Sequence, residues 1–281
     1  MGWLFWSNTI WYILLLISSV IIFCISLYRS KNKKLAVVYF FSLLGFLFFG
    51  ETILTVVLRA YTYHPGLFSD PILEAIFGNY FSQISIASTA VLICVFNLSY
   101  IWIFAVTLIY YLIDKLFVGM GIYEHFWYKS EYTPIIFVPL FWFIKKWYSK
   151  VLGRMGYAVY YFTLFFSVFA ANSLTIILIL RLLGVQVFHG NLFVNPSLDH
   201  TETGILYQIV QINYLMFLSE LKWGWVKKAA AFAVFFVLQY LLNKSSIVYI
   251  APGWFLTVTV VDSFVCYTWV ILFKHFLCKK H

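Results

Sequence analysis

Two carboxylates stand inside long apolar runs of the chain. Glu51 lies in the segment FFGETILTVV, and Asp262 lies in TVVDSFVC. An ionised acid at membrane depth costs a few kcal/mol unless it is paired or protonated, and such residues often mark ion or proton pathways. Either acid could also serve as a general acid in catalysis. A purely structural interpretation is equally open, in which each acid is hydrogen-bonded to Ser, Thr or Tyr of a neighbouring helix.

Amide side chains extend this predicted intramembrane site. Gln83 and Gln208 stand 125 residues apart on the two most polar of the apolar runs, and Asn172 occupies the region that matches Glu51 in the second half of the chain. Polar faces of membrane helices turn toward the bundle interior rather than toward lipid. We therefore expect the two acids and these three amides to line a polar interior.

A polar phrase occurs twice outside the apolar runs. HPGLFSDPILE (His64–Glu74) and HGNLFVNPSLD (His189–Asp199) share five of eleven positions. In each copy an Asp or Asn followed by Pro predicts the N-cap and first residue of a helix, with the final acid in the first turn. We expect each phrase to start a short interfacial helix that leads into a membrane span.

Capping leaves the two histidines of these phrases unexplained. His64, Glu74, His189 and Asp199 together could line a vestibule for a cation, or offer two imidazoles and two carboxylates to a metal ion. The spacing from His to acid matches no known metal signature, so we predict an outer loop site without a metal or other cofactor.

The composition requires these residues to be positioned by membrane helices. The chain has 281 residues, of which 63% are hydrophobic and only 10% are charged, whereas soluble domains carry about 25% charged residues. The fold class is therefore predicted as all-α, a polytopic helical membrane protein. Nine apolar runs are predicted to span the bilayer: 8–28, 35–58, 81–99, 101–118, 133–149, 157–181, 204–221, 229–243 and 254–276.

The basic residues indicate an orientation. The net charge is +9, and the basic residues behind it lie in short clusters between the apolar runs. This distribution argues against nucleic acid as a partner. With the N-terminus outside and the C-terminus in the cytoplasm, 14 of the 19 Lys and Arg residues lie on the inner side. The basic tail KHFLCKKH (274–281) fits an inner anchor better than a metal site. The predicted location is the cell membrane.

The repeated phrase indicates an internal duplication. Residues 1–34 form an N-terminal helix and basic loop, residues 35–149 a first repeat of four spans, and residues 157–281 a second repeat followed by the basic tail. Because an even number of spans returns the chain to the same side, we expect two parallel repeats related by an axis along the membrane normal.

Both repeats resemble one family of small membrane proteins. Tyr63 and Pro65 bracket His64, Phe96-Asn97 closes a span, and Asp114-Lys115 leads to Ile122-Tyr123 and Trp127. The second copy has Asn243-Lys244, Val248-Tyr249 and Trp254 at the matching places. This pattern is similar to the CBO-type family of multi-pass proteins of bacilli and clostridia. The resemblance implies two fused copies in a bacterial membrane, and it implies no catalytic residues.

The sequence leaves three functions open. A transporter or channel-like protein would use a polar path between the two repeats to move a small molecule or an ion. A membrane-embedded enzyme would act on a lipid or isoprenoid, and a structural or signalling subunit would bind a partner through its outer loops. The motifs of soluble hydrolases, nucleotide-binding proteins and zinc proteases are absent from the sequence. The lipid bilayer is the one predicted partner, and the oligomeric state is not predicted.

Overall fold

The computed structural model describes residues 5–277. Over this range the chain forms nine long helices and four short strands, which confirms the all-α polytopic fold class. Cys278, Lys279, Lys280 and His281 of the predicted basic tail lie outside the described residues.

The elements follow one another in a regular order, with short π-helical segments at three helix ends. The helices are α1 (Ile10–Arg29), α2 (Lys33–Thr52), α3 (Pro71–Val95), α4 (Tyr100–Gly119), α5 (Tyr132–Leu152), α6 (Tyr157–Asn172), α7 (Leu178–Leu182), α8 (Pro196–Glu220), α9 (Trp225–Lys244) and α10 (Phe255–Leu277). The strands are β1 (Tyr61–Tyr63), β2 (Tyr123–His125), β3 (Gln186–Phe188) and β4 (Val248–Ile250). The π-helical segments are Phe5–Thr9 before α1, Ile53–Val57 after α2, and Ser173–Ile177, which joins α6 to α7 into one helix.

Seven of the long helices in the described range are long and apolar enough to cross a bilayer. These are α1, α2 with its π segment, α3, α4, α6 continued through α7, α9 and α10. The remaining two are long but less apolar: α5 carries three lysines, and α8 carries three acids. This is the architecture of a multi-pass membrane protein.

The chain divides into two compact units, the first ending at Thr163 and the second beginning at Leu164. In the first unit α3 packs against both α1 and α2. In the second unit α8 packs against α10. Each unit contains one antiparallel strand pair, β1 with β2 and β3 with β4, which closes a buried cluster of apolar side chains.

Four elements recur in both units with identical lengths. Strands β1 and β3, helices α3 and α8, helices α4 and α9, and strands β2 and β4 each begin 125 residues apart. The backbone contacts recur as well. The His64 N–H donates to the Ile122 carbonyl, and the equivalent bond 125 residues later runs from the His189 N–H to the Ile247 carbonyl. The two units therefore share a common frame over this part of the chain.

The two copies of the repeated phrase contain the N-termini of the long helices α3 and α8. Asp70 accepts a hydrogen bond from the Ile72 N–H, and Asn195 accepts one from the Ser197 N–H, each directly before the helix-initiating proline. The predicted short interfacial helices are therefore wrong, because α3 and α8 run without interruption from these caps through 25 residues. A sequence pattern locates a helix start but does not show whether the helix breaks before the apolar run.

The first-turn acids fold the preceding loop onto each helix. Glu74 accepts hydrogen bonds from the N–H groups of Leu67 and Phe68, at 3.0 and 2.7 Å. Asp199 accepts them from Leu192 and Phe193, at 2.7 and 3.3 Å. A carboxylate that satisfies several loop N–H groups stabilises the loop and the helix end together.

The Asp199 contacts predict a dependence of stability on pH. Burial raises the pKa of Asp199, but its backbone N–H partners outweigh burial and hold that pKa below its usual value. The stabilisation is therefore present above the ordinary Asp pKa of about 3.9 and is lost as the pH falls through the lower pKa of the folded state.

We expect Asp199→Asn to lower the stability of the protein by roughly 1–3 kcal/mol at neutral pH, and to flatten the fall of its melting temperature between about pH 5 and pH 3. Differential scanning fluorimetry in detergent measures both effects. Glu124→Gln, which alters an exposed pair with His64, is the control. Equal acid sensitivity of wild type and Asp199→Asn would contradict this role.

Candidate functional site

The Glu51 carboxylate is the centre of the polar interior of the first unit. It lies in the last turn of α2 and is 5% exposed. One oxygen accepts hydrogen bonds from the Tyr61 hydroxyl at 2.8 Å and the Gln83 amide at 3.0 Å. The other accepts one from the Tyr63 hydroxyl at 3.1 Å. Three donors from two other elements therefore converge on one buried acid.

Strand β1 places both tyrosines toward Glu51 because side chains alternate between the two faces of a strand. Alternate residues of a strand point to the same face, so Tyr61 and Tyr63 are both buried while Thr62 between them is half-buried. Pairing with β2 fixes the position of the strand. Gly78 of α3 allows β1 to approach, since a Cβ atom at that position would lie 2.2 Å from the Tyr63 Cβ.

A π-helical segment follows Glu51 directly. The Thr55 hydroxyl, within this segment, donates to the Glu51 carbonyl at 2.8 Å. The second unit repeats the arrangement, with the Thr175 hydroxyl donating to the Ala171 carbonyl at 2.6 Å. Single π-helical turns in membrane helices frequently mark functional positions, because they widen the helix and free a carbonyl.

The carboxylate borders a cavity of about 220 Å³ within the first unit. Such a volume accommodates a small organic ion or several water molecules. Polar residues of the lining include Glu51, Gln83, Ser82, Thr133 and a second acid, Asp114. Six tyrosines also line it: Tyr12, Tyr61, Tyr63, Tyr110, Tyr123 and Tyr128.

Asp114 is held differently from Glu51. It accepts hydrogen bonds from the Thr133 hydroxyl at 2.6 Å and the Ser130 hydroxyl at 3.3 Å. The His125 Nε2 atom lies 3.1 Å from Asp114 Oδ1, the oxygen that also accepts from Ser130. Asp114 therefore has its own partners on β2 and on the segment that leads into α5.

Two acids, Glu51 and Asp114, line the cavity, and its lining includes no Lys, Arg or His of the described residues. Burial, with the charge of Glu51, raises the pKa of Tyr61 and Tyr63, so both hydroxyls keep their protons and act as donors. Burial lowers the pKa of His125 although Asp114 opposes this effect, which favours the neutral imidazole at neutral pH. None of the ion pairs formed within the described residues includes Glu51.

The second unit has its own buried acid, Asp262. The Tyr207 hydroxyl and the Gln211 amide donate to one oxygen of Asp262, at 2.9 and 2.8 Å. Asn172 lies beside this carboxylate but does not form a hydrogen bond of ordinary geometry with it. Gln208 is used elsewhere, because its oxygen accepts a hydrogen bond from the Ser173 hydroxyl at 3.0 Å.

The residues of the predicted outer loop site have separate roles within each unit. Glu74 and Asp199 are occupied by the loop N–H groups described above. His64 extends to Glu124, with 3.3 Å between the ring nitrogen and the carboxylate, and both side chains are exposed. The backbone N–H of His189 takes part in strand pairing. Across residues 5–277, no three His, Cys, Asp or Glu side chains are grouped closely enough to hold a metal ion.

The structure places Gln83 against Glu51 and Asn172 beside Asp262, and it adds partners that the sequence analysis did not name. Tyr61 and Tyr63 are hidden among 21 tyrosines. Their alternation around Thr62, directly after the apolar run that carries Glu51, is the signal that could have identified them. Asp114 was visible as a part of the family-like motif, but its position toward the cavity depends on α4 packing against α5.

Comparisons with protein-family models, curated proteins and solved structures found no match to this chain. The site must therefore be interpreted from its own chemistry.

The close approach of β1 to α3 gives a prediction for the site. We expect Gly78→Ala to displace Tyr63 from Glu51 and to destabilise the protein by roughly 1–3 kcal/mol, because the added Cβ has no room. Gly119→Ala is the control, since a Cβ there meets nothing within 4 Å, and it should be neutral or stabilising by up to about 1 kcal/mol. Melting temperatures of the two variants provide the measurement. The site geometry is incorrect if both variants have the melting temperature of the wild type.

Proposed function

We propose that the protein is a transporter or channel-like membrane protein that binds a small cation in the cavity of its first unit. The observation that carries this proposal is a buried carboxylate, Glu51, that faces a cavity and is surrounded by neutral donors. A buried charge without a compensating charge is costly, and a cation bound in the cavity would offset that cost.

The aromatic lining supports an organic cation over a hydrated metal ion. Tyrosine ring faces attract ammonium groups within about 6 Å, and the attraction is strongest where water is excluded. The cavity combines six tyrosines with one carboxylate that has no basic partner among the described residues. We therefore infer that the bound solute is a small amine or quaternary ammonium ion.

The internal repeat and the orientation also remain proposals. The elements that recur 125 residues apart support a tandem duplication. At that offset, Tyr61 and Tyr63 correspond to Gln186 and Phe188, so the first copy alone has the tyrosine donors. The distribution of Lys and Arg supports a cell-membrane protein with its N-terminus outside and its C-terminus in the cytoplasm. Under this proposal the binding site is formed by the first repeat together with α1, which contributes Tyr12, instead of by the two repeats.

Binding of radiolabelled cations to the purified full-length protein tests the proposal. Ammonium, methylammonium, tetramethylammonium and choline form the panel, measured by equilibrium dialysis. We expect saturable binding of at least one cation and a loss of at least about tenfold in affinity in Glu51→Gln, because the amide removes the negative charge. Glu220→Gln is the control, since Glu220 pairs with Lys274 in the second unit and should leave binding unchanged.

Uptake of the bound cation into proteoliposomes then tests transport. Uptake by the wild type that is lost in Glu51→Gln and retained in Glu220→Gln supports the proposal. Absence of saturable binding by every cation of the panel overturns the cation site. Binding without uptake overturns transport, and chemical conversion of a lipid or isoprenoid that depends on Glu51 would establish the enzyme instead.

A further inference from the structure

Helix α9 of the second unit buries little of its surface. Only Phe235 and Gln239 of its 20 residues are buried, although the helix is long and apolar enough to cross a bilayer. An open groove of about 400 Å³ lies between α9 and α8. Apolar grooves on a protein surface commonly mark binding sites for partners or lipids.

The groove begins beside the turn that joins α8 to α9. Trp223 of the turn and Lys227 in the first part of α9 line this end. Val234 also lines the groove, seven residues after Lys227 and therefore about 10 Å further along the helix. Between these ends the Tyr214 hydroxyl of α8 donates to the Ala231 carbonyl of α9 at 2.8 Å. The groove thus has a polar, charged end and an apolar length.

Short side chains keep the space between the two helices open. On α9 the groove is lined by Ala230 and Ala231, and on α8 it is lined by Phe217 and Leu218. Phe217 is 63% exposed. A groove with this lining suits a hydrocarbon chain, because binding removes apolar surface of both partners from contact with polar groups.

The charged end of the groove carries lysines without acidic partners. Lys227 lines the groove, and Lys222 and Lys228 are its neighbours in the turn and on α9. None of the three forms an ion pair within the described residues. The nearest acid along the chain, Glu220, pairs with Lys274 at 2.9 Å. This end of the groove is therefore positively charged.

Two other apolar grooves lack this charge. The groove between α4 and α5 is lined by Glu131, which pairs with Lys115 at 2.7 Å. The groove between α9 and α10 is lined by no charged residue of the described range. The unbalanced positive charge therefore distinguishes the groove between α8 and α9 from these two.

We propose that the groove between α8 and α9 binds one anionic phospholipid. An acyl chain occupies the apolar length, and the phosphate headgroup lies at Lys222 and Lys227. Lysines at the membrane surface attract anionic headgroups, and tryptophans such as Trp223 are enriched at headgroup depth. This lipid site belongs to the second unit and does not depend on the cation cavity of the first unit.

Native mass spectrometry of the purified full-length protein in detergent tests the headgroup contact. The protein is titrated with dioleoyl phosphatidylglycerol and, separately, with dioleoyl phosphatidylcholine, which has the same acyl chains. We expect one phosphatidylglycerol per chain, bound at least about fivefold more tightly than phosphatidylcholine. Lys227→Gln should weaken phosphatidylglycerol binding by about fivefold and leave phosphatidylcholine unchanged, because each lysine near an anionic headgroup contributes about that factor.

Lys244→Gln is the matched control. It removes the same charge from the last turn of the same helix, 17 residues and about 25 Å from Lys227. Lys244 does not line the groove, so this variant should bind both lipids as the wild type does.

Ala230→Phe tests whether the lipid lies in the groove. Ala230 is exposed, so a phenyl ring there extends into the groove instead of into the core. It should weaken both lipids by at least about fivefold, and the melting temperature checks that the variant folds. If this variant does not fold, Lys227→Gln still decides the proposal.

Three results would overturn the lipid site. Equal affinity of the wild type for the two lipids means that the groove takes bulk lipid without selection. Phosphatidylglycerol binding that is unchanged in Lys227→Gln or in a folded Ala230→Phe places the lipid elsewhere. A dimer mass that Ala230→Phe abolishes assigns the groove to a second copy of the chain.

Discussion

The hydrogen bonding of Glu51 is the constraint on which the first unit depends. A carboxylate in the last turn of a membrane helix requires donors, and α2 cannot supply them from its own backbone, which is already hydrogen-bonded. Strand β1 supplies two phenols and α3 supplies one amide. The pairing of β1 with β2 fixes the strand, and the absence of a side chain at Gly78 lets it approach α3, so the two phenols are held against the acid. The cavity beside Glu51 is where we propose that a cation binds.

The second unit uses the same frame for different chemistry. Its strand pair, caps and first-turn acid repeat those of the first unit 125 residues later. Its buried acid, however, comes from α10 instead of the helix before the strand pair, and it accepts hydrogen bonds from one phenol and one amide, those of Tyr207 and Gln211. Tyrosine-rich walls suit an organic cation. The shared frame thus holds one buried acid in each unit, at places that are not equivalent.

Local sequence signals predicted the frame well. The caps at Asp70 and Asn195, the apolar helices and the need of Glu51 and Asp262 for hydrogen-bond partners followed from propensities, hydropathy and the cost of charge in a membrane. The partners of those acids could not be predicted in the same way. Tyr61 meets Glu51 only because β1 folds back on α2, and Gln239 meets Tyr207 only because α9 packs near α8. The sequence analysis matched Asp114-Lys115 with Asn243-Lys244, which lie 129 residues later, whereas the structural elements recur 125 residues apart, because similar apolar stretches align equally well at several registers.

The ionised state of Glu51 is the most direct test of this account. Infrared difference spectra between wild type and Glu51→Gln, recorded at about pH 8 with tetramethylammonium present, report whether the side chain is a carboxylate or a neutral acid. The account predicts carboxylate bands that are lost in Glu51→Gln and that shift when the cation is removed. A protonated carboxyl band assigned to Glu51 under these conditions would contradict it, because a neutral acid needs no cation in the cavity.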